Sequence, residues 1–110
     1  MATLAQDTYS MTIGGEAVTT AETMPVRNPA TAEVFAQVPV ASAEHLERAV
    51  AAATRAFPGW RDTPMAERKT ALVSAADIID AHVSELTSLF TREQGRPLPG
   101  AMAEINGAAM

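Results

Sequence analysis

One long amphipathic segment, residues 63–95, most strongly constrains what this chain can fold into. Thr63 is a suitable N-cap and Pro64 suits the first helical position, where a missing N–H costs nothing. At the other end, Gly95 suits a left-handed cap and Pro97 prevents continuation. Apolar residues recur between these ends at steps of three, four and seven: Met65, Leu72, Ala76, Ile79, Val83, Leu86 and Phe90. This spacing predicts a helix whose apolar stripe needs another surface to cover it.

The residues before this segment predict a β-hairpin. Residues 9–13 alternate as a strand does, Gly14-Gly15 supplies the positive φ of a two-residue turn, and residues 16–18 return. We interpret residues 19–25 as a polar connection, and we expect residues 1–8 to form a flexible leader.

A turn, a second β-like run and a helix follow. Asn28-Pro29 initiates the turn, and residues 34–38 form the run, which Pro39 ends. Ser42 is a suitable N-cap for the helix, and Pro58-Gly59 is expected to end it. One face of this helix carries Leu46, Ala49, Val50, Ala53 and Phe57.

The helical part is expected to contain more than one joint. We expect Trp60 to bury its indole between the two helices. A kink or short break is expected near residues 81–84, where Ser84 is able to cap a second half. Residues 101–110 form helix readily and carry no stop signal. Together these features predict a mostly helical chain, with a β-hairpin and a short strand followed by two or three α-helices.

Composition excludes several classes of function. The chain has 110 residues, 47% of them apolar, and a net charge of -5, so it lacks the basic surface typical of nucleic-acid binding. It contains no cysteine, which excludes disulfides, thiolate metal sites and a thiol nucleophile within these residues. No apolar run approaches the ~20 residues of a membrane helix. The first eleven residues do not resemble a secretory signal, so we expect a cytoplasmic protein without a membrane partner.

Few residues suggest chemistry by themselves. Asp77, Asp80, His82 and Glu85 cluster, but their spacing matches no strong metal pattern, and we interpret them as a solvated helix face. His45 is interpreted as a surface residue. Gly14-Gly15 is not followed by a phosphate-binding motif. From the residues alone, the chain presents no catalytic constellation.

An ordered set of short motifs across residues 9–107 resembles the N-terminal part of the aldehyde dehydrogenase superfamily. The matching pieces are Ile13-Gly14-Gly15-Glu16, Val26-Arg27-Asn28-Pro29-Ala30-Thr31, Val34–Pro39, Ala56-Phe57-Pro58-Gly59-Trp60, Arg68, Glu93-Gln94-Gly95-Arg96-Pro97-Leu98 and Glu104. No single piece is specific for the family, but the set of pieces in this order is. Two departures are mild: Ala32 stands where the family often has glycine, and Arg96 where lysine is usual.

The resemblance implies an α/β fold with a Rossmann-like NAD or NADP domain, a catalytic domain and a small oligomerisation arm. Residues 9–110 would then be an incomplete N-terminal part of the cofactor-binding domain. The family oxidises aldehydes to carboxylic acids through a cysteine thioester, usually as a dimer or tetramer. The resemblance places the catalytic and cofactor-binding residues beyond Met110, so none is assigned here and the fragment alone should be inactive.

The resemblance also implies one metal site. Some members of the family hold a monovalent cation between backbone carbonyls before Asn-Pro and an acidic side chain after the Gly-Lys-Pro turn. The corresponding positions here are Val26, Arg27 and Glu104. Oxygen ligands suit a hard cation, although a plain structural loop is the alternative.

Two hypotheses therefore stand. In the first, the chain is the N-terminal fragment of an NAD(P)-dependent aldehyde dehydrogenase that acts on an aldehyde substrate. In the second, the chain is complete and is a small helical interaction module without catalysis, which binds a partner through its apolar stripe. The unfinished helix after Ala101 favours the first hypothesis.

Overall fold

A computed structural model describes residues 9–110. They form two compact units. The first unit comprises the residues up to Arg27 together with Glu33–Asp62, and the second comprises Asn28–Ala32 together with Thr63–Met110. The expected leader at residues 1–8 lies outside the described part of the chain. Four short strands precede four helices, which confirms the predicted mostly helical class.

The first unit begins with the predicted hairpin. Strands β1 (Met11–Ile13) and β2 (Glu16–Val18) pair antiparallel. Gly14 and Gly15 have φ values of 63° and 87°. Positive φ at both central residues is the requirement of a type I′ turn, whose twist matches that of the flanking strands. The hairpin prediction is therefore confirmed.

A second two-stranded sheet pairs β3 (Thr23–Arg27) with β4 (Val34–Pro39) in antiparallel orientation. The prediction that residues 19–25 are a connection is wrong for the last three. Residues of β3 have little strand character of their own, but they gain partners on β4, with Thr23 opposite Pro39. Pro25 is tolerated because each strand of a two-stranded sheet keeps one unpaired edge.

Helix α1 (Ala43–Asp62) completes the first unit. Its start is capped as predicted: the Ser42 carbonyl accepts from the Leu46 N–H at 3.1 Å, and the Ser42 hydroxyl accepts from the His45 N–H at 3.4 Å. The first contact is the opening bond of the helix, and the second satisfies the His45 N–H, which the first turn would otherwise leave unpaired.

Two expectations about the end of α1 are wrong. Pro58 lies inside the helix, which continues to Asp62. Proline removes a bond to the Thr54 carbonyl, but Thr54 is exposed, and water is able to replace the missing donor. Trp60 belongs to the same helix and is 45% exposed, so its indole is not buried as expected.

The second unit contains three helices: α2 (Met65–Ala81), α3 (Val83–Gln94) and α4 (Leu98–Ala109). The predicted break is present, because His82 leaves the helical conformation with φ −115° and ψ 12°. Its carbonyl accepts from the Leu86 N–H at 2.9 Å. The expectation that Ser84 caps α3 is wrong, since His82 occupies the N-cap position and no side chain caps it.

The ends of this helical segment test the predicted caps. Pro64, with ψ 144°, is the N-cap of α2, so the prediction of Thr63 is wrong by one residue. The Pro64 carbonyl accepts the first helical N–H bonds, from Glu67 and Arg68. Gly95 adopts the predicted left-handed cap, with φ 71°, and donates its N–H to the Thr91 carbonyl at 2.9 Å.

Both units have small cores. In the second unit, α4 packs against α2 and α3, and Ala101 is fully buried. Within the first unit, β1 packs on α1 with Ile13 at the contact side, and Ala36 of β4 is buried. Much of the apolar surface stays open, since Leu46 of α1 is 65% exposed and Leu72 of α2 is 66% exposed. Among residues 9–110, no helix has the length and apolarity needed to cross a membrane.

Candidate functional site

The motif Asn28–Ala32 forms a tight turn within the second unit. The Asn28 side-chain oxygen accepts from the Ala30 N–H at 2.9 Å, and the Asn28 carbonyl accepts from the Ala32 N–H at 2.7 Å. An asparagine that bonds the backbone two residues on is a turn-forming device, as predicted for Asn28. Ala32 has φ 62°, the one positive value found for a non-glycine residue in the described part of the chain.

This turn contacts the C-terminal cap of α3. A Cβ placed on Gly95 would come within 2.8 Å of Pro29 Cγ. Glycine at this position therefore meets two requirements, the left-handed conformation and the close approach of a proline ring. Pro29 and Gly95 are 66 positions apart in the sequence, and their two motifs contact each other within the second unit.

Beyond the cap, Arg96 reaches along the start of α4. Its guanidinium forms an ion pair with the carboxylate of Glu104, through Nη1 and Oε1. Both side chains are about half exposed. Glu104, which the resemblance assigned as a cation ligand, thus has a cationic partner from its own chain.

The other two residues of the predicted cation set lie on β3. Val26 and Arg27 are the last residues of that strand and belong to the first unit, whereas Glu104 belongs to the second. The described residues contain no group of three or more His, Cys, Asp or Glu side chains suited to a metal ion. The monovalent cation site stays a prediction.

The acidic and histidine cluster around the α2–α3 break is solvated, as interpreted. Asp77, Asp80, His82 and Glu85 are all exposed. His82 Nδ1 lies 2.8 Å from the Ile78 carbonyl oxygen, so the imidazole forms a hydrogen bond with the backbone at the end of α2.

His45 has a role that sequence reasoning missed. Its Nδ1 accepts from the Ser42 N–H at 3.1 Å, while the Ser42 hydroxyl accepts from the His45 N–H. This reciprocal pair of hydrogen bonds resembles a capping box.

A shallow cleft of about 250 Å³ lies in the first unit, beside the hairpin turn. It is lined by Ile13, Gly14, Glu16, Arg48, Ala51, Ala52 and Arg55. Two guanidinium groups and one carboxylate line it, and no hydroxyl, thiol or imidazole is among them. The Glu16 carboxylate is therefore the single base or nucleophile among the lining residues, and no second catalytic group accompanies it.

Three polar atoms in the second unit are buried without a hydrogen-bond partner: Arg68 Nε, Thr87 Oγ1 and Thr91 Oγ1. Sequence patterns did not indicate the two threonines, because threonine at helical spacing is usually a surface residue. They lie one turn apart on α3. At the start of α1 a hydroxyl does lie beside an imidazole, with Ser42 Oγ 2.8 Å from His45 Nδ1, and these two groups form the helix cap.

The chain is similar to known proteins across most of its length. The model of the aldehyde dehydrogenase family matches residues 17–110. A probable aldehyde dehydrogenase of a Pseudomonas species is 49% identical over 100 residues, which are 91% of this chain and 20% of that protein. This chain therefore spans about a fifth of the length of such a relative.

Solved structures agree in fold. Lactaldehyde dehydrogenase from Escherichia coli superposes with a TM-score of 0.90 at 32% identity, covering 93% of this chain and 22% of that one. An NAD-dependent aldehyde dehydrogenase from Sinorhizobium meliloti gives a TM-score of 0.82 at 34% identity, with coverages of 93% and 21%. The motif order, the family match and the shared fold lead to one conclusion: the chain belongs to the aldehyde dehydrogenase family.

Proposed function

We propose that this chain supplies the N-terminal part of an NAD- or NADP-dependent aldehyde dehydrogenase, which oxidises an aldehyde to a carboxylic acid. The observation that carries the proposal is the match of 93% of the chain to the Escherichia coli lactaldehyde dehydrogenase fold, at a TM-score of 0.90. Family membership favours this function over an interaction module without catalysis.

The residues of this chain have a structural role in the proposed enzyme. The chain contains no cysteine, so the thiolate that the family uses must come from other residues. Gly14 and Gly15 form a hairpin turn, and the described residues offer no glycine-rich phosphate cradle. No nicotinamide contact is therefore assigned to them. When bound, the nicotinamide accepts hydride from the substrate.

The same proposal covers the assembly and location of the whole enzyme. Members of the family assemble as dimers or tetramers, and we extend a homo-oligomeric state to the enzyme that contains this chain. A cytoplasmic location stays a prediction, as does the assignment of residues 9–110 to the cofactor-binding domain.

A chimera tests the proposed function. The N-terminal segment of Escherichia coli lactaldehyde dehydrogenase that matches this chain is replaced by residues 9–110, and lactaldehyde-dependent reduction of NAD and of NADP is measured. We expect the chimera to keep a substantial part of the parent's kcat. The isolated 110-residue chain should give no turnover with either nucleotide.

The control chimera carries Gly95→Val, which places a branched side chain where a Cβ alone would already lie 2.8 Å from Pro29 Cγ. It should lose activity together with oligomeric assembly. A native-sequence chimera that assembles like the parent enzyme but has no activity with either nucleotide contradicts the proposed function.

A further inference from the structure

The Arg96 side chain of the Arg96–Glu104 ion pair occupies space that a side chain at position 100 would otherwise fill. Gly100 is four residues from each partner and lies in the first turn of α4. A Cβ at this position would be 3.0 Å from Arg96 Nε and 3.5 Å from Arg96 Cγ. The arginine side chain therefore lies across Gly100 on its way to the carboxylate. Glycine inside a helix is usually destabilising, so its use here is consistent with a need for this space.

The backbone on both sides of Arg96 is restricted. Gly95 is fixed in the left-handed region at φ 71° and ψ 11°, and Pro97 is fixed at φ −56° and ψ 140°. Pro29 packs against Gly95 and limits movement of the cap. Arg96 thus extends from a segment with few alternative conformations, so little backbone entropy is lost when its side chain binds a carboxylate.

A guanidinium and a small hard cation compete for the same carboxylate. A monovalent cation would take Glu104 as an oxygen ligand, but the Arg96 guanidinium contacts Oε1 and brings a permanent positive charge to the same place. Arginine also differs from the lysine usual at this position in the family. A guanidinium presents several donors in a planar fork, of which Nη1 makes the contact with Glu104 here, whereas an ammonium is a more strongly hydrated point charge.

We propose that Arg96 is a built-in counter-ion of Glu104, seated over Gly100, which keeps monovalent cations away from this carboxylate. The side chain replaces a bound ion with a covalently attached charge. The stability of the second unit then does not depend on which monovalent salt is present. The proposal goes beyond the proposed dehydrogenase function, and its test requires neither an aldehyde nor a nicotinamide.

The test measures binding of the thallous ion, Tl⁺, to the full 110-residue chain by ²⁰⁵Tl NMR line broadening. Tetramethylammonium nitrate keeps the ionic strength constant at about 0.1 M, where surface charges are screened over ~10 Å. The compared proteins are the native chain, Arg96→Gln, the double variant Arg96→Gln/Glu104→Gln, and Arg48→Gln. The last is a matched control, because it removes one exposed arginine charge from α1.

Removing the competing charge should expose the carboxylate. We expect Arg96→Gln to bind Tl⁺ about tenfold more tightly than the native chain, since a unit charge at contact distance is removed. The double variant and Arg48→Gln should bind as weakly as the native chain. Equal affinities of the native chain and Arg96→Gln overturn the proposal. Tight binding that survives in the double variant overturns it as well, because the ion would not be at Glu104.

Far-ultraviolet circular dichroism checks that each variant keeps its helices. If Arg96→Gln loses helical signal, Arg96→Lys carries the same comparison with the charge retained. An ammonium holds the carboxylate less completely than a guanidinium fork, so Arg96→Lys should bind Tl⁺ more tightly than the native chain. If Arg96→Lys and the native chain bind Tl⁺ with equal affinity, the proposal is overturned.

Discussion

At the scale of single residues, Ala32 adopts a backbone conformation that glycine would adopt with less strain. Its φ of 62° lies in the left-handed region, which costs an L-residue roughly 1–2 kcal/mol. Glycine would avoid this cost but would lose roughly 0.4–1 kcal/mol through the greater freedom of the unfolded chain. We expect Ala32→Gly to raise the free energy of unfolding by about 0.5–1 kcal/mol, measured by urea titration with circular dichroism.

Ala30→Gly in the same turn is the matched control for Ala32→Gly. Ala30 does not have a positive φ, so glycine at position 30 brings only the entropic cost and should lower stability. If both substitutions lower stability equally, the backbone at Ala32 is not strained as described.

Gly95 gives the opposite prediction. Gly95→Ala forces a side chain into the left-handed conformation and places its Cβ within 2.8 Å of Pro29 Cγ. We expect a loss of at least about 1–2 kcal/mol in the free energy of unfolding, seen as a lower urea midpoint.

Gly107→Ala serves as the comparison, because Gly107 is inside α4 and a Cβ added there would meet no atom within 4 Å. Alanine should stabilise that helix by about 0.5–1 kcal/mol. A similar effect of the two alanine substitutions would contradict the contact between Pro29 and Gly95.

Local chemistry explains which residues were predictable. Gly14-Gly15, Asn28 and Gly95 act through their own backbone or through neighbours within four positions, so the sequence alone was sufficient to predict their turns and cap. The Pro29 contact with Gly95 depends on how distant segments pack, and the Arg96 contact with Glu104 depends on the path of a long side chain past Gly100. Neither contact is visible in a periodicity or a turn motif.

At the scale of elements, α1 carries a proline that it tolerates. Pro58 has no N–H for the Thr54 carbonyl, and both residues are exposed. Pro58→Ala restores the bond without removing buried surface. We expect α1 to gain about 1–3 kcal/mol in local stability, measured as slower amide hydrogen exchange in residues 59–62.

Pro64→Ala is a suitable control, because Pro64 is the N-cap of α2 and its missing N–H breaks no helical bond. Its effect on amide exchange in α2 should be small. Unchanged or faster exchange after Pro58→Ala would show that the proline does not weaken α1.

The elements that the sequence mispredicted share one cause, which is tertiary context. Proline and glycine at 58–59 indicated a helix end, but an exposed helix tolerates one missing bond. Residues 23–25 looked like a connection because their strand character comes from pairing with β4. The break was predicted near residues 81–84 because Ser84 is able to cap a second half, whereas the residue that occupies the N-cap, His82, was not predicted.

At the scale of the whole molecule, the chain exposes much apolar surface. Leu46, Val50 and Phe57 define the α1 apolar face, and each is more than half exposed. Such a surface is expected to promote association. We expect the isolated chain to bind the dye 8-anilinonaphthalene-sulfonate and to self-associate, as measured by fluorescence and by light scattering after size exclusion.

A triple variant, Leu46→Gln, Val50→Thr and Phe57→Gln, should reduce dye binding and association while keeping helical content. The control triple variant changes exposed polar residues of α1 instead: Glu44→Gln, Glu47→Gln and Arg55→Gln. A native chain that is monomeric, binds no dye and melts sharply is the result that would sink this prediction.

The functional site was predictable only as far as the family resemblance reached. That resemblance correctly indicated the family from ordered motifs, but the catalytic chemistry of the proposed enzyme lies outside these residues. The cation set named Glu104 without its partner Arg96, because an ion pair between residues eight positions apart along the start of α4 has no sequence signature.

The exposed α1 apolar face also has a consequence for biosynthesis. Since 100 matched residues are 20% of the Pseudomonas relative, that protein has about 500 residues. In the enzyme proposed above, this chain is the N-terminal part, so roughly 400 residues would follow it and take about 20–80 s to emerge from a ribosome at ~5–20 residues per second. Residues that follow in the proposed enzyme could therefore cover the α1 apolar face only after that delay. In the proposed enzyme, the α1 apolar face would therefore be exposed to water during translation, and we expect ribosome-associated chaperones to bind it at that stage.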